Sequence, residues 1–460
     1  MGEHITTQCF LFSELFDRPL VAQFDQPQCS TDGGAIMLRA AERRLGIIFA
    51  LAECMKDKRQ AGKVDHELDE LLTQRVMAIA CGYEDANDAA RLASDPVHKL
   101  LVGRDPEQGD DLGSQPTLSR FENSVNRKEL FCMAEALADV VVDRHRKRLH
   151  GRARKITIDL DPTDDPTHGQ QQLTFFNGHY DSFCYLPVLG FLTFNDEPEQ
   201  YLVTAVLRAG NAKGSLGAVG ILSRLLPRLR EAFPKALLRV RLDGGFATPE
   251  VLDFLDGQPR VEYAVAMASN DVLDRWVESD LSQARLMSRL SGKTEHIYGE
   301  FRYKTQKTWK YERRIIYKAE VVRYPDRDAR DNPRFVITNM KQLPQWIYEK
   351  VYCQRGDIEN RIKELHHGMQ IDRTSCTSFW ANQFRVLMTA AAYVLMQELR
   401  LRLARTQYAS AQVTTLRERL LKIGVQIVVS VRRIVLQFPQ SFPDQAIVHR
   451  LALNLGAQNA

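Results

Sequence analysis

Nowhere in the 460-residue chain do about twenty apolar residues run together, and the opening MGEHITTQCFLFSELF lacks a basic segment followed by a long apolar one. Neither a membrane span nor a secretory leader is expected. None of the eight cysteines (Cys9, Cys29, Cys54, Cys81, Cys132, Cys184, Cys353, Cys376) stands at C-x-x-C spacing or clusters with histidine. Neither a zinc site nor a disulfide framework is therefore expected, and a reducing, cytoplasmic setting is. Internal repeats and low-complexity tracts are also missing, which excludes solenoids. Nor is there a large charge excess: 62 basic residues face 58 acidic ones, for a net charge of +4. A polyanionic partner must be read from local clusters.

What is present is 44% hydrophobic residues over a length that predicts two or three domains. Apolar residues fall at helical spacing over 33–45 and 64–81, then over 118–142 after the Gly-, Pro- and Asp-rich segment GRDPEQGDDLGSQPT. RHRKRLHGRARK (144–155) holds seven basic residues in twelve, and beyond it the pattern alternates. Ile156, Ile158 and Leu160 interleave with Thr157, Asp159 and Asp161, as in a strand with both aspartates on one face. Further strands are expected over 183–194, 200–207, 237–243 and 261–267, with helices over 213–233 and 248–255. This β-β-β-α-β-α-β order is that of a ribonuclease-H-like mixed α/β sheet.

The expected organisation is a helical N-terminal region (1–150) for DNA binding and dimerisation, and a first core segment (151–269). A β-rich insertion (270–343), core helices (344–405) and a small C-terminal extension (406–460) follow.

Two acidic residues close predicted strands: Asp161 in TIDLD, and Asp243 in LLRVRLD before a Gly-Gly pair. Strand carboxyl ends converge on a crevice, and carboxylates gathered there repel one another unless divalent cations neutralise them. In YCQRGDIENRIKELHHG, an α-helix would put Tyr352, Arg355, Glu359 and His366 on one face. Asp161, Asp243 and Glu359 are thus candidate catalytic residues and metal ligands. They suit two Mg²⁺ ions (or Mn²⁺) about 3.5–4 Å apart acting on a phosphodiester. Arg355 would contact phosphate, and Tyr352 the backbone or a base.

These segments, with TDGGAIMLRAAERRLG, QRVMAIACGYEDANDAARL, SQPTLSRFENSV, VLRAGNAKGS and DRTSCTSFWANQFRVLMTAAAYVL, span residues 31 to 395. Together they resemble bacterial insertion-sequence DDE transposases of the Y-R-E-K superfamily, in the insertion-sequence thirteen-eighty family. The family's D-x-T falls on Asp161-Pro162-Thr163, its second aspartate on Asp243, and its Y-x-x-R-x-x-x-E on Tyr352, Arg355 and Glu359. The signature lysine is His366 here, which would meet phosphate as a cation only when protonated. Leu242 and Gly244 replace the glycine and serine that usually flank the second aspartate. The resemblance implies an RNase-H-like core, binding and cleavage of the element's terminal inverted repeats, transfer of 3′-OH ends to target DNA, and dimers on paired ends. It also implies a bacterial, nucleoid-associated protein.

Simpler readings compete. Asp159 is the alternative to Asp161, separated from it by the threonine at position 163. Arg144, Arg146, Lys147 and Arg148 could face phosphate or be a solvated linker. Trp309 could stack on a base or pack beneath the insertion. Rival functions are an inactive, transposase-derived DNA-binding protein and a stand-alone metal-dependent nuclease.

Overall fold

The computed structural model describes residues 9–305, 307–324 and 327–458. The N-terminal region is helical as its periodicity predicts, with α1 (Ile36–Leu45), α2 (Leu68–Ala80) and α3 (Arg127–Arg148) as main elements. α3 starts on a capping box in which Asn126 and Glu129 satisfy each other's backbone N–H groups. It ends where His150 and Gly151 take left-handed backbone conformations, so the basic run supplies a helix end and a turn.

The next strand, β1 (Lys155–Pro162), pairs antiparallel with β2 (Val188–Phe194), which pairs antiparallel with β3 (Tyr201–Val206). This is the predicted meander, except that the strand expected over 183–194 breaks at Leu186-Pro187. Ser182–Tyr185 joins a small separate sheet with Asp165–Pro166 and Phe175–Asn177. Proline cannot donate to a ladder, so the break falls where the chain changes sheets. Helix α4 (Ala218–Ala232), strand β4 (Leu237–Leu242), helix α5 (Pro249–Asp256) and strand β5 (Val261–Met267) follow within a residue or two of expectation, apart from a later start to α4. β4 lies parallel to both β1 and β5.

The segment expected to be a β-rich insertion joins the main sheet. After α6 (Asp271–Ser291), strands β6 (Glu295–Tyr303), β7 (Arg313–Val322) and β8 (Arg334–Thr338) continue the same sheet, because β8 pairs antiparallel with β5. The strand order is β6-β7-β8-β5-β4-β1-β2-β3, and the two-residue strand Arg330–Asp331 on β7 makes nine.

Two further helices complete the site's support, α7 (Gly356–Met369) and α8 (Phe379–Arg402). α8 is buried along nearly its whole length, packed against α1, α2, α3 and β3. That all-round burial explains why its apolar residues, Leu387 and Tyr393 among them, do not keep to one stripe. The C-terminal extension is tied to the beginning of the described chain. Val425–Ser430 pairs antiparallel with Cys29–Ser30, and the strand-like stretch that starts there is a hairpin with Arg433–Gln437. Gly33 and Gly34 lie so close to residues 420–425 that a Cβ on Gly34 would fall 1.8 Å from the Leu420 carbonyl oxygen.

One expectation about cysteine, that no disulfide forms, is corrected. Cys54 and Cys132 form a disulfide, with Cα atoms 5.6 Å apart, between the end of the short helix Ile47–Ala52 and α3. Cys81, His98 and Asp32 also converge, their ligand atoms within 4.8 Å of one another. Both arise from contacts between segments distant in sequence, which cysteine spacing does not report. Among the described residues no helix is long and apolar enough to cross a membrane.

Candidate functional site

The site is built first by register. Leu160 on β1 faces Leu242 on β4 across a parallel ladder, so the next residues, Asp161 and Asp243, lie side by side at the strands' carboxyl ends, about 4.8 Å of ladder spacing apart. Beyond Asp243 the chain turns through the 3₁₀ segment Gly244–Phe246, and Asp243 Oδ1 accepts from Gly245 N at 2.8 Å. Gly214 of VLRAGNAKGS packs onto this turn; a Cβ there would meet the Gly245 carbonyl at 3.0 Å.

The third element arrives differently from expectation. Between Tyr348 and Glu359 the chain is not one α-helix. A π-turn (Tyr348–Tyr352) and a 3₁₀ turn (Cys353–Arg355) precede α7. Such wide turns concentrate at functional sites because they re-aim side chains. The Val351 carbonyl in the π-turn accepts from Arg241 Nη1 at 3.0 Å.

Arg241 also settles where Asp159 belongs. Its Nε and Nη2 donate to the two carboxylate oxygens of Asp159, each at 2.7 Å, with both side chains buried. Asp159 is therefore engaged in a bidentate pair that ties β1 to β4 and, through Arg241, to the π-turn. Asp161 is the aspartate that reaches the crevice.

There Arg355 pairs with Asp161 and stands 3.8 Å from Asp243. The guanidinium expected to contact phosphate thus bridges the two aspartates, and its buried Nε has no partner. Burial pushes the Asp161 carboxyl up to about 7; Arg355 opposes the shift, while Asp243, Glu359 and Asp159 add to it by repulsion. Tyr352 is half-buried close by, raised by burial and by Asp243 against the pull of Arg355. Glu359 is exposed on the first turn of α7. Two aspartates at one arginine, with Glu359 acting on Asp161, are hard oxygen donors in surplus negative charge, a donor set that fits divalent cations.

His366 is engaged as well. Its Nε2 lies 2.9 Å from Thr163 Oγ1 and its Nδ1 lies 3.2 Å from Asp372, so it links the D-x-T turn to the loop after α7. It borders a polar cleft of about 420 Å³ lined by His168, Gln171, His367, Arg373 and Ser375.

The other proposed DNA contacts separate. Trp309 is only 6% exposed, packed edge-on against Tyr303 at 5.7 Å and under the Arg313 guanidinium at 4.9 Å. That is the packing alternative, and a buried indole offers no face to a base. Arg144 holds Glu398 of α8 at 2.7 and 3.0 Å, and Arg148 holds Glu197 with two bonds of 2.9 Å. Arg146 and Lys147 are exposed and share Asp143. Arg144 and Arg148 of the basic run therefore staple α3 to the core.

Two residues near the site carried no expectation. Arg208 donates to the carbonyls of Leu186, Lys213, Gly214 and Leu216, fixing the loop against the Asp243 turn; burial lowers it to about 10. Tyr180 is raised to about 12 by burial and by the carboxylates of Asp164, Asp161 and Asp243. Arg208 lay within a family-like motif, which was its only signal. Tyr180 gave none.

Away from the crevice, the Asp32–Cys81–His98 group has its own cation. Lys422 Nζ bonds Asp32 Oδ1 at 2.8 Å, and His98 Nε2 meets Oδ2 at 2.9 Å. Burial opposes ionisation of Asp32, but these two partners outweigh it and hold the carboxyl below its ordinary range. The Cys81 thiol is driven up by burial. Lys422 supplies the charge that a metal would bring, and the cluster reads as a buried ion pair.

The family model described as transposase DDE domain group 1 matches residues 12–459 of the chain. No curated protein matches it. Among solved structures, the chain is similar to the piggyBac transposase in a synaptic complex with hairpin DNA. The identity is 8% and the TM-score 0.41, over 93% of this chain and 86% of that one.

Proposed function

Because the chain belongs to the transposase DDE domain group 1 family, we propose that it is an active transposase of the bacterial insertion-sequence thirteen-eighty type. In this reading it cuts DNA at its element's terminal inverted repeats and joins the 3′-OH ends to target DNA as a dimer on paired ends. The carrying observation is the β1–β4 register that sets Asp161 beside Asp243, with Glu359 the third carboxylate acting on Asp161. The order β3-β2-β1-β4-β5, antiparallel in the meander and parallel across β1, β4 and β5, supports a ribonuclease-H-like core.

Asp161, Asp243 and Glu359 would hold the divalent ions, Mg²⁺ first among them. When bound, these ions supply charge neutralisation for phosphoryl transfer and activation of the attacking oxygen. The Asp159–Arg241 pair fixes the strand ends and the π-turn relative to one another, so the carboxylates keep their spacing. With ions held by the carboxylates, Arg355 would be free to turn from Asp161 to a phosphate, a bidentate role that its unpartnered Nε suits. His366 orients Thr163 and thereby the turn that follows Asp161.

The test is cleavage of a plasmid-borne copy of the element with its flanks. Asp161→Asn, Asp243→Asn and Glu359→Gln should each lose at least about 10³-fold in cutting while binding DNA within a few-fold of the parent. Cutting at parental rates by all three variants would refute the assignment. Hydrolysis without any joining would instead mark a nuclease.

A further inference from the structure

Between β1 and β2 the chain makes an excursion that the order of the main sheet does not require. Asp165–Pro166 pairs with Ser182–Tyr185, which pairs back on Phe175–Asn177, so residues 178–181 form the tip of a small hairpin. Asn177 shapes that tip: its Oδ1 accepts from His179 N at 3.0 Å, and Asp181 turns the chain back in a left-handed conformation (φ 52°) that aspartate tolerates. Tyr180 sits there, half-buried.

Contacts with the backbone hold the hairpin against both catalytic turns. On the Asp161 side, Thr163 N donates to Pro187 O at 3.0 Å and Thr167 N to Phe183 O at 2.9 Å. On the Asp243 side, Asn177 Nδ2 donates to Gly210 O at 3.0 Å, and Gly210 lies so close that a Cβ would fall 2.0 Å from Cys184 O. Arg208 carries the connection on: its Nε holds Leu186 O at 2.7 Å and its Nη1 holds the carbonyl of Gly214, which packs on Gly245, at 2.8 Å. The tip is therefore fixed relative to Asp161 and Asp243 alike. Their negative charge, with that of Asp164, falls on Tyr180, and Tyr180 and Asp243 both act on Arg208.

Four other tyrosines set beside carboxylates donate to them: Tyr263 to Asp256, Tyr317 to Asp280, Tyr393 to Glu364 and Tyr408 to Asp444, at 2.6–2.7 Å. Among the described residues the Tyr180 hydroxyl makes no such bond, although three carboxylates act on it. Burial and those carboxylates keep the phenol protonated up to about 12, so it is no base at neutral pH but an unused neutral donor.

We propose that Tyr180 is a further catalytic residue, its hydroxyl donating to a non-bridging oxygen of the scissile phosphate. The inference rests on the transposase reading above. A phosphodiester held at Asp161 and Asp243 brings acceptor oxygens to a donor that no carboxylate has claimed. As charge grows on those oxygens during transfer, a fixed donor binds them more strongly than in the ground state.

The experiment compares cutting of the plasmid-borne element by the full chain and by Tyr180→Phe, which keeps the ring and removes only the hydroxyl. Turnover at saturating DNA should fall roughly 10²-fold, with half-saturation by DNA and the denaturation midpoint unchanged. Tyr180→Ala should be no more than a few-fold slower than Tyr180→Phe. Parental turnover in Tyr180→Phe overturns the proposal, as does a defect seen only in half-saturation. A loss confined to Tyr180→Ala does so too, because the ring is then a packing group. A second readout needs no turnover: in Glu359→Gln carrying 3-fluorotyrosine at position 180, a duplex bearing the element's end should shift the fluorine resonance. A resonance unmoved by bound duplex overturns the proposal. Parental cutting by Glu359→Gln would sink the transposase reading itself, whereas parental cutting by Tyr180→Phe alone leaves that reading standing without this residue.

Discussion

Two charged clusters lie within one turn of each other along α7 and are built on opposite terms. At the first turn, Asp161 and Asp243 share a single guanidinium, that of Arg355, which has one buried N–H unused, and Glu359 adds its repulsion to Asp161. Farther along, Glu364 is met by Arg400 and Arg361, receives the Tyr393 hydroxyl at 2.7 Å and the Val413 N–H at 2.7 Å, and shares both arginines with Glu199. The second cluster balances two carboxylates with two guanidiniums and welds α7 to α8. The first is left two negative charges in excess. The balanced cluster holds two helices together, whereas at the strand ends Asp161 and Asp243 outnumber the one guanidinium beside them.

Breaking the balanced cluster should give the largest effect. Arg400→Ala leaves the buried Glu364 and the partly buried Glu199 with Arg361 alone and should cost about 3 kcal/mol of stability, read as a fall in the denaturant midpoint. A smaller effect than for an exposed pair such as Lys147 with Asp143 would mean the weld is not structural.

The unbalanced cluster should respond to pH in the opposite sense to most acidic groups. With the folded Asp161 carboxyl near 7 and its unfolded value near 4, the folded state keeps a proton that the unfolded state has released between those limits. Metal-free stability should therefore fall, on the order of 2 kcal/mol, as pH rises from 4 to 7. In Asp161→Asn that component should vanish; an identical pH profile for parent and variant would mean that the Asp161 carboxyl is not raised in the folded state.

The smallest expected effect is stabilisation by magnesium. At pH 8 saturating Mg²⁺ should add roughly 1–2 kcal/mol to the parent and nothing to Asp161→Asn, measured by thermal melts at fixed ionic strength. Equal gains in both would place any bound ion elsewhere.

Much of this was legible beforehand. Alternation and helical spacing predict β1 to β5 with α4 and α5 between them, since local patterning there agrees with the final burial. The acidic residues stand out because they end strands. What escaped depends on pairing between remote segments. Nothing in DRDARDNPRFVIT reports that β8 will join β5 and merge the insertion into the main sheet. Asp159 and Asp161 look equivalent until Arg241, on another strand, claims the first. The π-turn before α7 leaves no compositional trace, and Trp309 reads the same whether it packs or stacks. Cys54 and Cys132 meet only because the short helix Ile47–Ala52 lies on α3.

The pairing of Val425–Ser430 with Cys29–Ser30 bears on how the molecule is made. An early segment must wait on the ribosome for a partner near the end of the chain, and α8, which the N-terminal helices enclose, is translated after β1 to β8 and α7. Long-range closures of this kind are slow. The three carboxylates come from segments translated far apart, and the helix that buttresses Glu359 is last among them. A copy truncated before α7 therefore lacks Glu359 and with it the assembled carboxylate crevice.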